Sequence, residues 1–433
     1  MISFVPEPHL LGSVRGRDWP GLLPSPAFAD SAVPPRSADV VIAGAGPAGL
    51  AVASALWHHG IRDVVLLDRD RPCGRFFGRI DLLRQRVLRS PYEHHPGVEG
   101  FRDCELLDFA RMHWSLLSPV ERNEIRMAQA GHRSVVPIDV FEAYCEHLVA
   151  SHHIGERTWR QNVRDVLPSA DSVSVRTDTT TVTARFAVLC MGESRREAPD
   201  GWWTGDGVRY WDQPMPPGAG RVIVIGAGLT AAHLVSNALA DGAEVHWVIR
   251  ETEERYQCAD VNSKFFRPEG RARFDGVSWE DRLTLMGRFR RASIMFEFRP
   301  GFQRAEAEGR LIVHRGRAVK AVSSGVSVEL EDGTRVGGDL ALLALGTTPS
   351  TGSEVLPDEV INARDGWADL DERTLAYRLA PRVHAVGATA GMVLGPAARN
   401  IDGHRVATAR VAAAVAAGLL DRPLVPDLAV SRG

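Results

Sequence analysis

Apolar and polar positions along the chain fall into two matching cycles. Residues 38–43 (ADVVIA) form an apolar run, the pattern of a parallel strand covered on both faces. A glycine turn follows, and AGLAVASALWHHG then keeps small and apolar residues at helical spacing up to Gly60. VVLLD (64–68) is a second short buried strand, which completes a βαβ unit. The cycle restarts at RVIVIG, with a helix over about 228–241, Gly242 as its stop, and EVHWVIR as the next strand.

Between the cycles, 71–135 is rich in Arg and His and reads as loops and helices laid over a ligand. The spacing predicts a helix over 138–152, then strands in WRQNVRDVL, SVSVRTD and TVTARFAVLCMG. The Pro- and Gly-rich DQPMPPGAG (212–220) marks a boundary. After the second cycle comes a polar stretch, 251–308, containing DVNSKFFRPEG. Strands return at LIVHR, VSVELEDG, DLALLALG and VHAVG, and a last helix runs over about 402–418. The predicted fold is α/β, with two Rossmann-like dinucleotide-binding domains. An extended arm covers 1–37, a first domain 38–215 and 346–433, and an inserted second domain 216–345.

The glycine turns carry the first chemistry. Gly44, Gly46 and Gly49 fit G-x-G-x-x-G: a tight turn, a close backbone approach to pyrophosphate, and close helix–strand packing. Pro47 and Ala48 begin the helix, whose N–H groups and dipole favour an anion. Asp68 ends the next strand 24 residues after Gly44, placed to accept from a ribose hydroxyl, with Arg69 beside it. The second turn keeps Gly226 and Gly228, followed by Leu229 and Thr230, but has Ala231 in third place. Here the residue 24 positions on is Arg250. A carboxylate repels a 2′-phosphate, whereas an arginine pairs with it. This exchange predicts NADPH in the second site, with Arg255 as a further phosphate ligand, and a dinucleotide lacking that phosphate in the first.

Composition narrows the setting. A net charge of −3 supplies no field for nucleic acid or a membrane surface. No apolar stretch is long enough to span a bilayer, and the start lacks the basic and apolar regions of a secretory signal. The five cysteines share no C-x-x-C or C-x4-C spacing, so neither a structural zinc site nor a local redox disulfide is expected, and a cytoplasmic setting fits.

These residues, in this order, resemble the flavoproteins with two dinucleotide-binding domains, in which an NAD(P)H domain interrupts an FAD domain. The resemblance covers about 38–420. It implies that GAGPAG and Asp68 hold FAD, and that Asn162 and Val163 contact adenine through the backbone. It places Gly192 and Gly346 on the two segments crossing between domains, and Gly387 beside the ribityl chain. Gly387-Ala388 stands where the family usually has Gly-Asp, so that aspartate is missing. Pro396, Arg399 and Asn400 are expected to open a helix facing the flavin pyrimidine ring. DLALLALGT is similar to the D-x3-L-A-T-G-Y pattern of the class B, N-hydroxylating monooxygenases, with Leu345 for Thr and Thr347 for Tyr.

The implied activity is that of an FAD-containing, NADPH-dependent monooxygenase acting with dioxygen on a small-molecule substrate. Hydride would pass to flavin N5, and a C4a-hydroperoxyflavin would then oxygenate a nucleophile, an amine before a sulfide. The alternative is an NAD(P)H-dependent reductase serving a protein or small-molecule acceptor. Gln85, Arg89, Ser90, Asn262 and Lys264 are the substrate-side candidates. His94, His95 and His113 are candidates for a base, and Arg288, Arg290 and Arg291 read as a solvated helix face. A homo-oligomer is left open.

Overall fold

A computed structural model of the chain describes residues 15–20, 33–97, 105–132, 134–257, 266 and 268–420. Strands β1 (Ser37–Ala43), β2 (Val64–Asp68), β3 (Thr158–Arg160) and β4 (Thr181–Leu189) belong to one sheet. Strands β5 (Val208–Tyr210), β6 (Arg221–Ile225), β7 (Glu244–Val248), β8 (Leu311–His314) and β9 (Leu340–Leu343) form another. The chain then returns to the first sheet with β10 (Ala380–Ala385). The parallel strands of the first sheet run β10-β4-β1-β2-β3, with antiparallel strands Ala376–Tyr377, Val163–Pro168 and Val173–Thr177 joined to them, and the second sheet runs β5-β9-β6-β7-β8, parallel throughout. The expected α/β fold with two Rossmann-like sheets therefore holds.

Central position explains the apolar runs. β1 lies between β2 and β4, with Val40 opposite Val64 on one side and Phe186 on the other, and Val40, Val41 and Ile42 are wholly buried. A strand paired on both edges and covered on both faces has no polar side to show. Helices α1 (Pro47–His58), α3 (Leu229–Ala240) and α5 (Arg299–Ala307) pack on the sheets, α2 (Gly74–Leu82) joins the first core through Phe77 and Ile80, α4 (Trp279–Phe289) packs against 391–399, and α6 (Ile401–Leu420) packs on α1.

The stretch 251–308 differs from its reading as one polar insertion. Its last part, α5, is the crossover helix of the second sheet. Phe298, Phe302 and Ala305 recur at helical spacing and are buried, and Phe302 meets Trp247 of β7 edge-on at 5.4 Å. Arginine-rich composition masked that apolar stripe. Within the arm, residues 15–20 lie against the body of the chain. Arg17 Nη2 donates to Glu121 at 3.0 Å, Gly16 N donates to Asp139 at 2.7 Å, and Trp19 packs against Phe109 and His113.

Three histidines make the fold acid-sensitive. Burial lowers the pKa of His233, His384 and His404 to about 4 each. An unfolded histidine titrates near 6.5, so between pH 6.5 and 4 the unfolded chain binds more protons and stability rises with pH. Each such histidine contributes up to about 1.4 kcal/mol per pH unit in that window. Tm should fall as pH drops from 6.5 towards 4, and His233→Phe, which keeps the edge-on contact to Phe298, should make that fall shallower. A slope unchanged by the substitution would remove His233 from this account.

Candidate functional site

Each glycine turn pairs two crowded positions with one open one. Gly44 has φ +106°, and a Cβ there would lie 2.4 Å from the Cys190 carbonyl oxygen. A Cβ on Gly49 would lie 2.0 Å from the Gly44 oxygen, yet one on Gly46 would meet nothing within 4 Å. In the second turn Gly226 has φ +137°, and its Cβ would sit 2.3 Å from the Ala344 oxygen. Gly228 is nearly open, its nearest neighbour being Ala292 Cβ at 3.9 Å, and Ala231 is fully buried at the third place. Both middle glycines thus leave space in front of a helix N-terminus, at Pro47 and Ala48 of α1 and at Leu229 and Thr230 of α3. An anionic pyrophosphate fits such a place.

Asp68 braces the first turn from below. Its Oδ2 accepts from Ala45 N at 2.7 Å and its Oδ1 from Asp70 N at 3.1 Å. Arg69 Nε donates to Asn162 Oδ1 at 2.7 Å, which brings the strand end beside Val163. Gly192, with φ +73°, follows β4, and Gly346, with φ +88°, follows β9. The segments after them pair antiparallel, Glu193–Arg195 against Thr347–Pro349. Asp339, which opens DLALLALGT, is structural: its Oδ2 accepts from Gly220 N and Arg221 N at 2.9 and 2.8 Å, fixing the entry to β6.

At the same carboxyl end of the first sheet, beyond strand β10, lie Gly387, Pro396, Arg399 and Asn400. Gly387 has φ +91°, and His404 lies 3.6 Å from where its Cβ would be. Asn400 Nδ2 and His404 Nδ1 are buried and make no hydrogen bond, so this end keeps polar capacity for a ligand. Pro396–Arg399 is a short 3-10 turn, and the long helix begins only at Ile401.

The second turn opens on a cavity of about 1050 Å³. Ala227 and Trp247 form its floor, Arg250 and Arg255 come from the strand end, and Arg290, Arg291 and Arg299 from the following stretch. The reading of Arg288, Arg290 and Arg291 as a solvated face is corrected for Arg290, which is 15% exposed and paired with Glu193, while Arg288 and Arg291 are exposed.

The other candidates separate. Gln85 Nε2 donates to the Val87 carbonyl at 2.8 Å, and Ser90 is buried. Arg89 Nη2 reaches Gln257 at 2.5 Å and ties the first half to the second. Asn262 and Lys264 lie outside the described residues. His94 is buried 3.7 Å from Asp402, His95 lies 3.4 Å from the Tyr144 hydroxyl, and His113 is held by the Phe109 carbonyl at 2.9 Å.

Sequence reasoning missed Glu193. Its two oxygens take Arg290 at 2.7 Å and Arg399 at 2.6 Å, so one carboxylate joins the cavity wall, the crossing strand and the 396–400 turn. It also missed Arg271 and Arg282, which reach from 268–289 to the carbonyls of Val393, Leu394 and Met392. Residues so distant in sequence left no local pattern to find them by.

The model of an FAD binding domain family matches residues 37–90. No curated protein matches the chain by sequence. Among solved structures, the ornithine N-hydroxylase of Kutzneria sp. 744, with reduced FAD, NADP+ and L-ornithine, aligns with a TM-score of 0.71 at 18% identity, covering 88% of this chain and 99% of that one. The L-lysine 6-monooxygenase of Pseudomonas syringae gives 0.66 at 17% identity, over 87% and 99%. The bacillithiol disulfide reductase of Bacillus cereus gives 0.60 at 16%, over 88% and 99%. The likeness establishes the fold, two Rossmann sheets of the kind seen in flavin monooxygenase structures.

Proposed function

We propose that the chain is an FAD-containing, NADPH-dependent monooxygenase that N-hydroxylates a small aliphatic amine with dioxygen, in the cytoplasm. The pairing of two open glycine turns with unlike strand ends, Asp68 at one and an arginine-lined cavity at the other, carries the reading. The ornithine and lysine hydroxylases among the structural neighbours support the amine as substrate. Residues 38–215 and 346–433 would hold FAD, and 216–345 NADPH.

FAD bound there supplies a hydride acceptor and the means to activate oxygen. The protein contributes placement. Gly46 and the α1 N-terminus would hold pyrophosphate, Asp68 would accept from the adenosine ribose, and Val163 would contact adenine. Asn400 and His404 would offer hydrogen bonds at the flavin end, His404 as a neutral imidazole at pH 7. Arg250 and Arg255 would receive the NADPH phosphate.

The test is a panel of amines assayed for NADPH oxidation under 18O2, with product mass analysis. One labelled oxygen atom in the product supports the reading. NADPH consumption that yields only peroxide with every amine, alongside reduction of a disulfide or quinone, would favour the reductase reading that the bacillithiol reductase neighbour keeps in view. The described cysteines speak against a thiol relay: Cys73, Cys145 and Cys190 are buried, and burial pushes the Cys145 and Cys190 thiols up, away from the reactive thiolate. Asp68→Ala should lower FAD affinity by about tenfold or more, read by flavin release on dialysis, because a charged acceptor is lost. Full flavin retention would remove Asp68 from the FAD site.

A further inference from the structure

We infer that Arg299, at the start of α5, is the residue that selects a 2′-phosphorylated dinucleotide over its unphosphorylated counterpart. This rests on the reading of the second site as one for NADPH, and it moves the main selective contact away from the strand-end arginine. The cavity arginines are not equivalent. Arg315 is neutralised by Glu254 at 2.8 Å and Glu306 at 2.7 Å, and Arg290 is held by Glu193. Arg250 leans on Glu251 at 3.4 Å, and its side chain is 80% exposed. Arg255, Arg291 and Arg299 have no carboxylate partner among the described residues, so their charges are available to an incoming anion, and of the three only Arg299 stands on a helix.

Arg299 is exposed, as Arg250 is, but it is the better anchored. Its guanidinium stands over the ring of Tyr256, 5.5 Å from the centroid, and that ring stacks on Phe296. Its helix is fixed to the pyrophosphate turn by a short chain of contacts: Phe302 packs on Trp247, and Trp247 Nε1 donates to the Gly226 carbonyl at 2.7 Å. A crossover helix runs antiparallel to its strands, so the N-terminus of α5 lies at the same sheet end as Arg250, where a ribose phosphate would arrive. The helix dipole there adds to the attraction for a dianion. An arginine held on a rigid element loses less side-chain freedom on binding than one extended into water.

The experiment uses the flavoprotein as purified and two probes, 2′,5′-ADP and 5′-AMP, titrated by calorimetry. Wild type should prefer 2′,5′-ADP. Arg299→Ala should weaken 2′,5′-ADP by about tenfold or more and leave 5′-AMP within about twofold, since one charge-assisted contact is removed. Arg299→Lys should restore part of the loss, and Arg250→Ala should cost less than Arg299→Ala. Equal weakening of both probes by Arg299→Ala, or no weakening, overturns the assignment while a preserved wild-type preference leaves the NADPH reading standing. A wild type that shows no preference overturns both.

Discussion

A Gly46→Val variant should fold with a melting temperature close to that of the wild-type apoprotein and fail to hold FAD. Gly46 has φ −71° and ψ −173°, an extended conformation open to any residue, and a Cβ there meets no protein atom within 4 Å. A side chain there therefore costs the fold little beyond a poorer N-cap and fills the space in front of α1. Pyrophosphate needs that space to reach the helix N–H groups, and an expected loss of at least about 100-fold in FAD affinity follows from excluding it, each charge-assisted contact contributing about 1.5–3 kcal/mol. Gly49→Val is the contrast. Its Cβ would lie 2.0 Å from the Gly44 oxygen, an atom of the backbone that cannot rotate away, so this variant should lose the native fold. Gly228→Val is the mirror experiment and should keep FAD while losing NADP+. Flavin content and apoprotein melting read the first two and an NADP+ titration reads the third, and a Gly46→Val protein that binds FAD normally would end the assignment of the first turn.

The turns were legible because their chemistry is local: glycine spacing, a buried strand before, a helix after, and the residue at the next strand end. β2 was read at its observed bounds for the same reason, five apolar and acidic positions between turn residues. What stayed hidden depends on contacts across the sequence. The apolar stripe of α5 is thinned by arginines, so its period did not stand out until Phe302 was seen against Trp247. Arg290 looked like one more solvated charge because nothing in its neighbours reports the Glu193 that holds it. Arg250 carried the right sign of charge for its strand end, but its exposure and its lean towards Glu251 are properties of the folded chain. Glu193 sits in a short crossing segment whose partners lie 97 and 206 residues away.

Glu193→Ala should destabilise the folded chain by about 2–3 kcal/mol, the cost of stranding part-buried charges, discounted for the exposure of Arg399. The carboxylate is 14% exposed and is shared by two guanidiniums, Arg290 at 15% and Arg399 at 38% exposure. Removing it leaves two like charges facing each other across the crossing segment, and burial together with Arg399 already lowers the Arg290 pKa. Glu193→Gln keeps the shape and one acceptor and should lose less. The decisive comparison is the double variant Glu193→Ala/Arg290→Met. If the loss arises from an unneutralised cation, removing that cation returns stability, and the double variant melts above Glu193→Ala alone. Additive losses would instead mean that Glu193 and Arg290 act separately, each through packing. Arg290 stands over Trp367, 5.3 Å from its ring, and that ring lies where a Cβ on Gly391 would be, so strain at this triad reaches the turn that leads into Asn400 and His404. Glu193→Ala should therefore also shift the visible absorption of the bound flavin, a change that destabilisation elsewhere in the second sheet would not produce.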